Sequence, residues 1–276
     1  MAKGLGLWER FLQYLCCPVC NGNLALTVTE ESVSEVLFGE FECKSCLRHY
    51  AINDGIPDFV AVDKVSEMDE KWMRSYDKVA KSYDRTLKLL SLLPPQPAWA
   101  PRQRRKWVEA LDIKEGEFVL DVATGTGLNL PYIERKIGTM GKLMAMDISS
   151  EMLKIGRKRI QKNQISAELH RANASYLPYK SDLFDTVIHV GGINTFGEKK
   201  KAIDEMLRVA KPSAKIALVD EGLEPGKENT LFGKFMLKTN PLYTHKPPVE
   251  ILPPDIKDLQ IRWIWGGIFY FMSFRK

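Results

Sequence analysis

Four cysteines carry the first legible chemistry. Cys17-Pro-Val-Cys20 and Cys43-Lys-Ser-Cys46 are two C-x-x-C pairs with 22 residues between them. Such a pair presents two thiolates from one tight turn, and two turns together complete a tetrahedron of sulfurs around zinc, with Zn–S bonds of ~2.3 Å. The start, MAKGLGLWERFLQYLCC, has no uninterrupted apolar core and no small-residue cleavage site. A cytoplasmic location is therefore expected, and there metal binding is favoured over disulfides. A unit of about 60 residues buries little apolar surface alone, so bound metal would supply part of its folding free energy. The fifth cysteine, Cys16, reads as a small buried apolar residue. His49 reads as surface or core, because four thiolates already close the site.

A second constellation lies at Leu120-Asp121-Val122-Ala123-Thr124-Gly125-Thr126-Gly127-Leu128. Glycines let a backbone approach a ligand closely, and the helix that follows opens with free N–H groups. The dinucleotide fingerprint G-x-G-x-x-G fails, because Leu130 stands where its third glycine would be. The block instead resembles the first motif of class I S-adenosylmethionine-dependent methyltransferases, acidic-x-G-x-G-x-G, with Ala123 in place of the first glycine. That cofactor carries a sulfonium and an ammonium group, so carboxylates beside the turn suit it. Asp121 would orient the turn and, through it, the amino group. Asp147 ends the second strand, 20 residues after Gly127, where an acidic side chain can accept both ribose hydroxyls.

Further landmarks follow in order. Ala172-Asn173-Ala174-Ser175-Tyr176-Leu177-Pro178-Tyr179 is similar to the D-A-x-x-L-P-F segment of the ubiquinone/menaquinone-biosynthesis type of methyltransferase, with Asn173 where Asp is usual. Phe184-Asp185 opens the fourth strand, and Val190-Gly191-Gly192-Ile193-Asn194 leaves it. Glu205 to Ala214 matches that family's helix-to-strand turn, with Ser213-Ala214 for Gly-Gly. The resemblance spans residues 76–276. It implies cofactor contacts from Tyr83, Asp121, Ala123, Thr124, Gly125, Gly127, Asp147, Ile148, Asn173, Ala174 and Gly191. Asn173 would face the adenine amino group, and Tyr83, in Tyr76-Asp77-x-x-Ala80-x-x-Tyr83-Asp84, would close over the cofactor. Separately, residues 10–60, ending in Tyr50-Ala-Ile-Asn-Asp-Gly-Ile-Pro-Asp-Phe, resemble small zinc-ribbon proteins that activate methyltransferases.

The elements that position these groups can be read from patterning. The chain has 276 residues, a formal net charge of +5, 45% hydrophobic and 27% charged residues, which excludes disordered, collagen-like and multi-pass membrane classes. Short apolar strands are expected at 117–122, 142–146, 167–171, 184–190 and 214–219. They alternate with helices at 128–137, 151–162 and 198–209. That alternation predicts a parallel sheet covered on both faces. The tail reads as an antiparallel hairpin turning at Gly266-Gly267. The expected fold is α/β: a seven-stranded Rossmann-like class I methyltransferase sheet plus a small zinc ribbon. Three units are expected: a zinc ribbon over 1–62, a helical connector and cofactor cover over 63–112, and the methyltransferase domain over 113–276. In the connector, Ser66 and Asp69 suit a capping box, prolines 94, 95, 97 and 101 forbid helix, and a helix resumes at 102. The basic block Arg102, Arg104, Arg105 and Lys106 reads as a solvated helix face, with phosphate contact as the alternative.

Methyl transfer from a sulfonium is an in-line displacement in which the protein aligns the acceptor and excludes water. If the acceptor must lose a proton, the candidate bases are His189, Asp220, Glu221 and His245. The 222–257 insertion is expected to form a substrate lid, kept irregular by Pro241, Pro247, Pro248, Pro253 and Pro254. Its stripe Leu231, Phe232, Phe235, Met236 and Leu237 reads as a cover over core or over an apolar acceptor. Three functions compete: methylation of a small, largely apolar acceptor, methylation of RNA, and a non-catalytic cofactor-binding partner. RNA is disfavoured because no basic surface interleaved with aromatics stands out, though Lys227, Lys234, Lys238 and Lys246 could form a track. The intact first motif and Asp147 disfavour the non-catalytic reading.

Overall fold

The computed structural model describes residues 12–32, 35–90 and 101–276. Near the N-terminus, β1 (Leu24–Glu31), β2 (Val36–Cys43), β3 (His49–Asn53) and β4 (Ile56–Pro57) pair antiparallel in chain order. Alternation along β3 buries Tyr50 and Ile52 and exposes His49, Ala51 and Asn53, the period of two expected of a half-covered sheet.

The main sheet contains β5 (Phe118–Val122), β6 (Lys142–Asp147), β7 (Glu168–Arg171), β8 (Phe184–Val190), β9 (Ala210–Glu221), β10 (Lys257–Ile264) and β11 (Phe269–Arg275). Its order is β10-β11-β9-β8-β5-β6-β7. Strands β5 to β9 run parallel, and β11 lies antiparallel between β9 and β10. All five residues of β5 are buried, as a strand covered on both faces requires. The chain steps outward from β5 in both directions, to β6 on one side and β8 on the other. That switch point leaves a crevice at the strands' carboxyl ends.

The helices are α1 (Glu67–Leu90), α2 (Pro101–Ala110), α3 (Leu130–Ile137), α4 (Ser150–Asn163), α5 (Lys199–Val209) and α6 (Leu231–Thr239). Ser66 and Asp69 form the expected capping box. The Asp69 N–H donates to the Ser66 hydroxyl at 3.1 Å, and the Asp69 carboxylate accepts the Ser66 N–H at 3.3 Å. Pro101 departs from expectation: it opens α2 rather than forbidding it, because a first-turn residue has no helical partner for its N–H. Prolines 94, 95 and 97 lie outside the described residues. The 222–257 insertion is also more regular than expected. Thr230 caps α6 by accepting the Gly233 N–H at 2.9 Å, and the prolines act only beyond it.

The ribbon is joined to one face of the main sheet through a common core. Phe41, Tyr50, Ile52 and Phe59 belong to the same apolar cluster as Phe118, Leu120, Tyr179 and the inner side of α5. Phe59 is 1% exposed, with ring centroids 5.5 Å from Phe41 and 6.0 Å from His170. Burial drives the His170 pKa down to about 3, so this imidazole stays neutral. Backbone bonds cross the junction: Cys16 N–H to Pro178 O at 3.0 Å, Lys180 N–H to Tyr14 O at 2.9 Å and Phe59 N–H to Arg171 O at 2.7 Å. Arg157 grips Glu35 through two bonds of 2.9 and 3.0 Å.

Candidate functional site

The turn after β5 builds the floor of a cavity at the switch point. Ala123 has φ 54° and Gly125 φ 59°. A non-glycine residue in the left-handed region costs on the order of 1–2 kcal/mol, which the surrounding bonds must offset. The Thr124 N–H reaches Met146 O at 2.9 Å, and its hydroxyl donates to Asp121 at 2.7 Å. At Gly125 nothing lies within 4 Å of where a Cβ would stand, so the backbone there is open to a ligand. Asp121 is fully buried and sits behind the turn. Burial raises its pKa to about 6, against the hydrogen bonds from Thr124 and Asn129.

Asp147, at the end of β6, faces the cavity. Its two oxygens accept the Gly125 and Ser149 N–H groups, each at 2.8 Å. Each carboxylate oxygen has a second lone pair, so both can still accept a hydroxyl. Burial raises the Asp147 pKa to about 6, the backbone bonds oppose it, and the Asp77 charge adds to it.

The eleven residues implied for cofactor binding divide in two. Tyr83, Ala123, Thr124, Gly125, Asp147, Ile148 and Gly191 line the cavity, whereas Asp121, Gly127, Asn173 and Ala174 do not. Asn173 is occupied locally: its amide oxygen accepts the Ser175 N–H at 2.9 Å and its nitrogen reaches Asp69 at 3.4 Å. The carboxylate facing the cavity there is Asp69.

Helix α1 closes the cavity with a seven-residue repeat. Tyr76 and Tyr83 fall two turns apart and point inward, ring centroids 6.3 Å apart, with Trp72 beside them. Asp77 and Asp84 follow one residue later and fasten the helix. Asp77 accepts the Ser149 hydroxyl at 2.5 Å and the Glu151 N–H at 3.3 Å, at the start of α4. Asp84 accepts the Thr126 hydroxyl at 2.6 Å and pairs with Arg159, which in turn donates to Thr126 O at 2.7 Å. The Y-D-x(5)-Y-D spacing signals this arrangement, but the sequence reading assigned a role only to Tyr83.

A second cavity adjoins the first and shares Tyr76, Tyr83, Arg104, Gly191 and Gly192 with it. Its own wall is Leu87, Trp107, Leu242, Phe269 and Glu221. Arg104 corrects the reading of its block as a solvated face. Among the described residues of the block, Arg105 and Lys106 are exposed, while Arg104 is buried and donates to Asn129 at 2.8 Å. Burial lowers its pKa, opposed by the fields of Tyr83 and Asp121.

Of the four candidate bases, Glu221 alone lines this cavity. Burial pushes its pKa up to about 9, reinforced by a hydrogen bond with Asp220 and by that carboxylate's charge. Asp220 is occupied with the N–H groups of Gly192, Asn194 and Glu221, at 3.3, 2.9 and 2.8 Å. His189 is buried against Phe196, its Nδ1 2.9 Å from Val122 O, and His245 lies outside both cavity walls. The lid stripe divides: Met236 and Leu237 pack on the core, whereas Leu231, Phe232 and Phe235 face solvent and cover nothing.

In the ribbon, the sulfurs of Cys17, Cys20, Cys43 and Cys46 all lie within 4.8 Å of one another. Cys17–Cys46 is 3.6 Å and Cys20–Cys43 3.5 Å, close to the about 3.8 Å edge of a tetrahedron with ~2.3 Å arms. Cys16 is buried, and His49 is exposed on Glu40 at 2.7 Å, so neither joins the cluster.

Fold and site together define a class I S-adenosylmethionine-dependent methyltransferase. The backbone open at Gly125, the carboxylate of Asp147 and the aromatic side chains of α1 line one cavity at the switch point. Residues 64–225, more than half of the chain, match the ubiE/COQ5 methyltransferase family, and the chain belongs to it. Residues 9–55 match the Trm112p-like proteins. A demethylmenaquinone methyltransferase of Renibacterium salmoninarum is 33% identical over 174 residues, covering 62% of this chain and 68% of that one. The ubiquinone/menaquinone biosynthesis C-methyltransferase of Legionella pneumophila is 27% identical over 209 residues, covering 71% and 82%. In fold, the chain is similar to an S-adenosylmethionine-dependent methyltransferase from Aquifex aeolicus, with TM-score 0.51, 22% identity and coverage of 69% and 97%. A second such structure, from Methanococcus maripaludis, gives TM-score 0.52 at 16% identity, covering 76% and 94%.

Proposed function

We propose that this enzyme acts in the cytoplasm on a ring carbon of a reduced, quinone-type acceptor. The observation that carries the reading is a cavity adjoining the cofactor cavity whose wall holds a carboxylate, Glu221, and a guanidinium, Arg104, beside the apolar Trp107, Leu242 and Phe269. The names of the relatives point to the same acceptor class.

When bound, S-adenosylmethionine supplies an electrophilic methyl group for in-line displacement. Asp147 would hold the ribose hydroxyls, and Asp69, positioned by Asn173, would bind the base. Trp107, Leu242 and Phe269 hold the aromatic ring of the acceptor, and Tyr76 and Tyr83 exclude water. Glu221, as carboxylate, takes the proton of a ring hydroxyl, and the Arg104 guanidinium faces the resulting oxyanion. This raises electron density at the neighbouring ring carbon, which would take the methyl as the sulfonium departs as a neutral thioether. Glu221 would return its proton to the ring oxygen and accept the proton that the carbon loses, passing it afterwards to solvent. In the ribbon, Cys17, Cys20, Cys43 and Cys46 hold one structural zinc ion.

A general base with a pKa near 9 is ionised in only a small fraction at pH 7, and that fraction grows about tenfold per pH unit until the pKa is reached. Methylation of a demethylated naphthohydroquinone with labelled cofactor should therefore rise with pH to about 9. Glu221→Gln should lower kcat by about 10²-fold or more and remove this limb. Label that enters RNA instead of the hydroquinone, with steep loss of binding as salt rises, would replace this acceptor by nucleic acid.

A further inference from the structure

Helix α6 exposes an apolar face that no described part of the chain covers. Leu231 is 90% exposed, Phe235 63% and Phe232 48%. At 100° per residue these three share one side, while Gly233, Met236 and Leu237 turn to the protein. The orientation is fixed. A Cβ on Gly233 would meet Lys227 O at 1.9 Å, so only glycine permits this close approach. Three neighbouring large apolar side chains held in solvent mark an interaction surface rather than scattered exposure.

We propose that α6 seats the enzyme on an anionic bilayer surface, beside the entrance to the acceptor cavity. This rests on the apolar acceptor proposed above. Charge selects the occupant. From Asn229 to Val249 the chain carries three lysines, Lys234, Lys238 and Lys246, and no carboxylate. Lys234 and Lys238 border the apolar face on the same flank, and among the described residues neither forms an ion pair. An apolar face of one helix edged by lysines is the pattern of a helix lying in the headgroup plane, and each lysine near an anionic surface strengthens binding several-fold. No helix among the described residues is long and apolar enough to cross a membrane. Three side chains offer far less than the ~800 Å² per partner of a standard protein interface, and two facing copies would oppose lysine to lysine.

Continuity with the site completes the case. The turn over Pro241–Thr244 follows α6 directly, and its Leu242 lines the acceptor cavity. The next residue, Tyr243, packs edge-on against Phe269 of the same wall at 6.4 Å. A lipid-dissolved acceptor would pass from bilayer to cavity along this turn without crossing water.

Sedimentation of the full chain with phosphatidylcholine vesicles, with and without phosphatidylglycerol, tests this. Binding should require phosphatidylglycerol and fall with salt. The pairs Phe232→Ser with Phe235→Ser, and Lys234→Glu with Lys238→Glu, should each lower partition by about tenfold or more. Their melting temperatures, and their turnover of a short-chain, water-soluble hydroquinone without vesicles, should match the wild type. Vesicle binding is read without any acceptor, so absence of hydroquinone turnover would refute the acceptor and leave the binding result standing. Wild type that ignores anionic vesicles, variants that bind as well as wild type, or a dimer dissociated by the same variants without vesicle binding would each overturn the proposal.

Discussion

The ribbon and helix α1 both pack on the main domain, but with a different balance of contacts. The ribbon is joined through apolar side chains and backbone bonds as well as the Arg157–Glu35 and Arg171–Asp58 ion pairs: Phe59 sits between Phe41 and His170, and three backbone N–H···O bonds among the described residues cross the junction. α1 is held over the cofactor cavity by the polar side chains Asp77 and Asp84, and its inward Tyr76 and Tyr83 border open space. An apolar junction cannot open without exposing large area to water. Polar clamps exchange protein partners for water at a net cost of only about 1 kcal/mol each. The ribbon is thus fastened as part of the scaffold, whereas the contacts that fasten α1 beside the cavity are mainly polar ones.

Three substitutions probe this contrast, in descending order of effect. Phe59→Ala removes a fully buried ring from the junction and should cost about 3–5 kcal/mol. Its unfolding, followed by calorimetry, should remain one transition for ribbon and main domain together. Two separated transitions in the wild type would break the comparison by making the ribbon an independent unit. Asp147→Ala should lower cofactor affinity by about 1–3 kcal/mol, the loss of a buried charged hydrogen-bond partner. The measurement is titration calorimetry, and unchanged affinity would remove Asp147 from the cofactor site. Asp77→Ala should act more weakly, raising the cofactor KM by about 1 kcal/mol equivalent while leaving the melting temperature of the cofactor-free protein within about 2 °C. A large drop in melting temperature instead would mean that α1 is as permanent as the ribbon.

The contrast also explains which residues were legible in advance. Cys17, Cys20, Cys43 and Cys46 were readable because metal geometry imposes a local spacing that survives without knowledge of the fold. The motif turn and Asp147 were readable because they follow strand ends at fixed distances. Arg104 was misread: it lies in a block of cations, and only the packing of α2 separates the buried one from its exposed neighbours. The α6 stripe was misread in the other direction. A run of Leu and Phe suggests core, and only the close approach at Gly233 decides that three of its five residues face out. Asp77 and Asp84 bind groups 42–75 residues away in the chain, beyond the reach of any local pattern.

By itself, the sequence determined the four-cysteine cluster, the alternation that yields a parallel sheet with an antiparallel end, and the class of cofactor, because each depends on short-range spacing or on period. Tertiary structure decided which of four titratable candidates lines the cavity beside the motif turn, how the ribbon joins the sheet, and which way α6 faces. Those outcomes depend on burial, and burial is a property of surfaces brought together from distant parts of the chain.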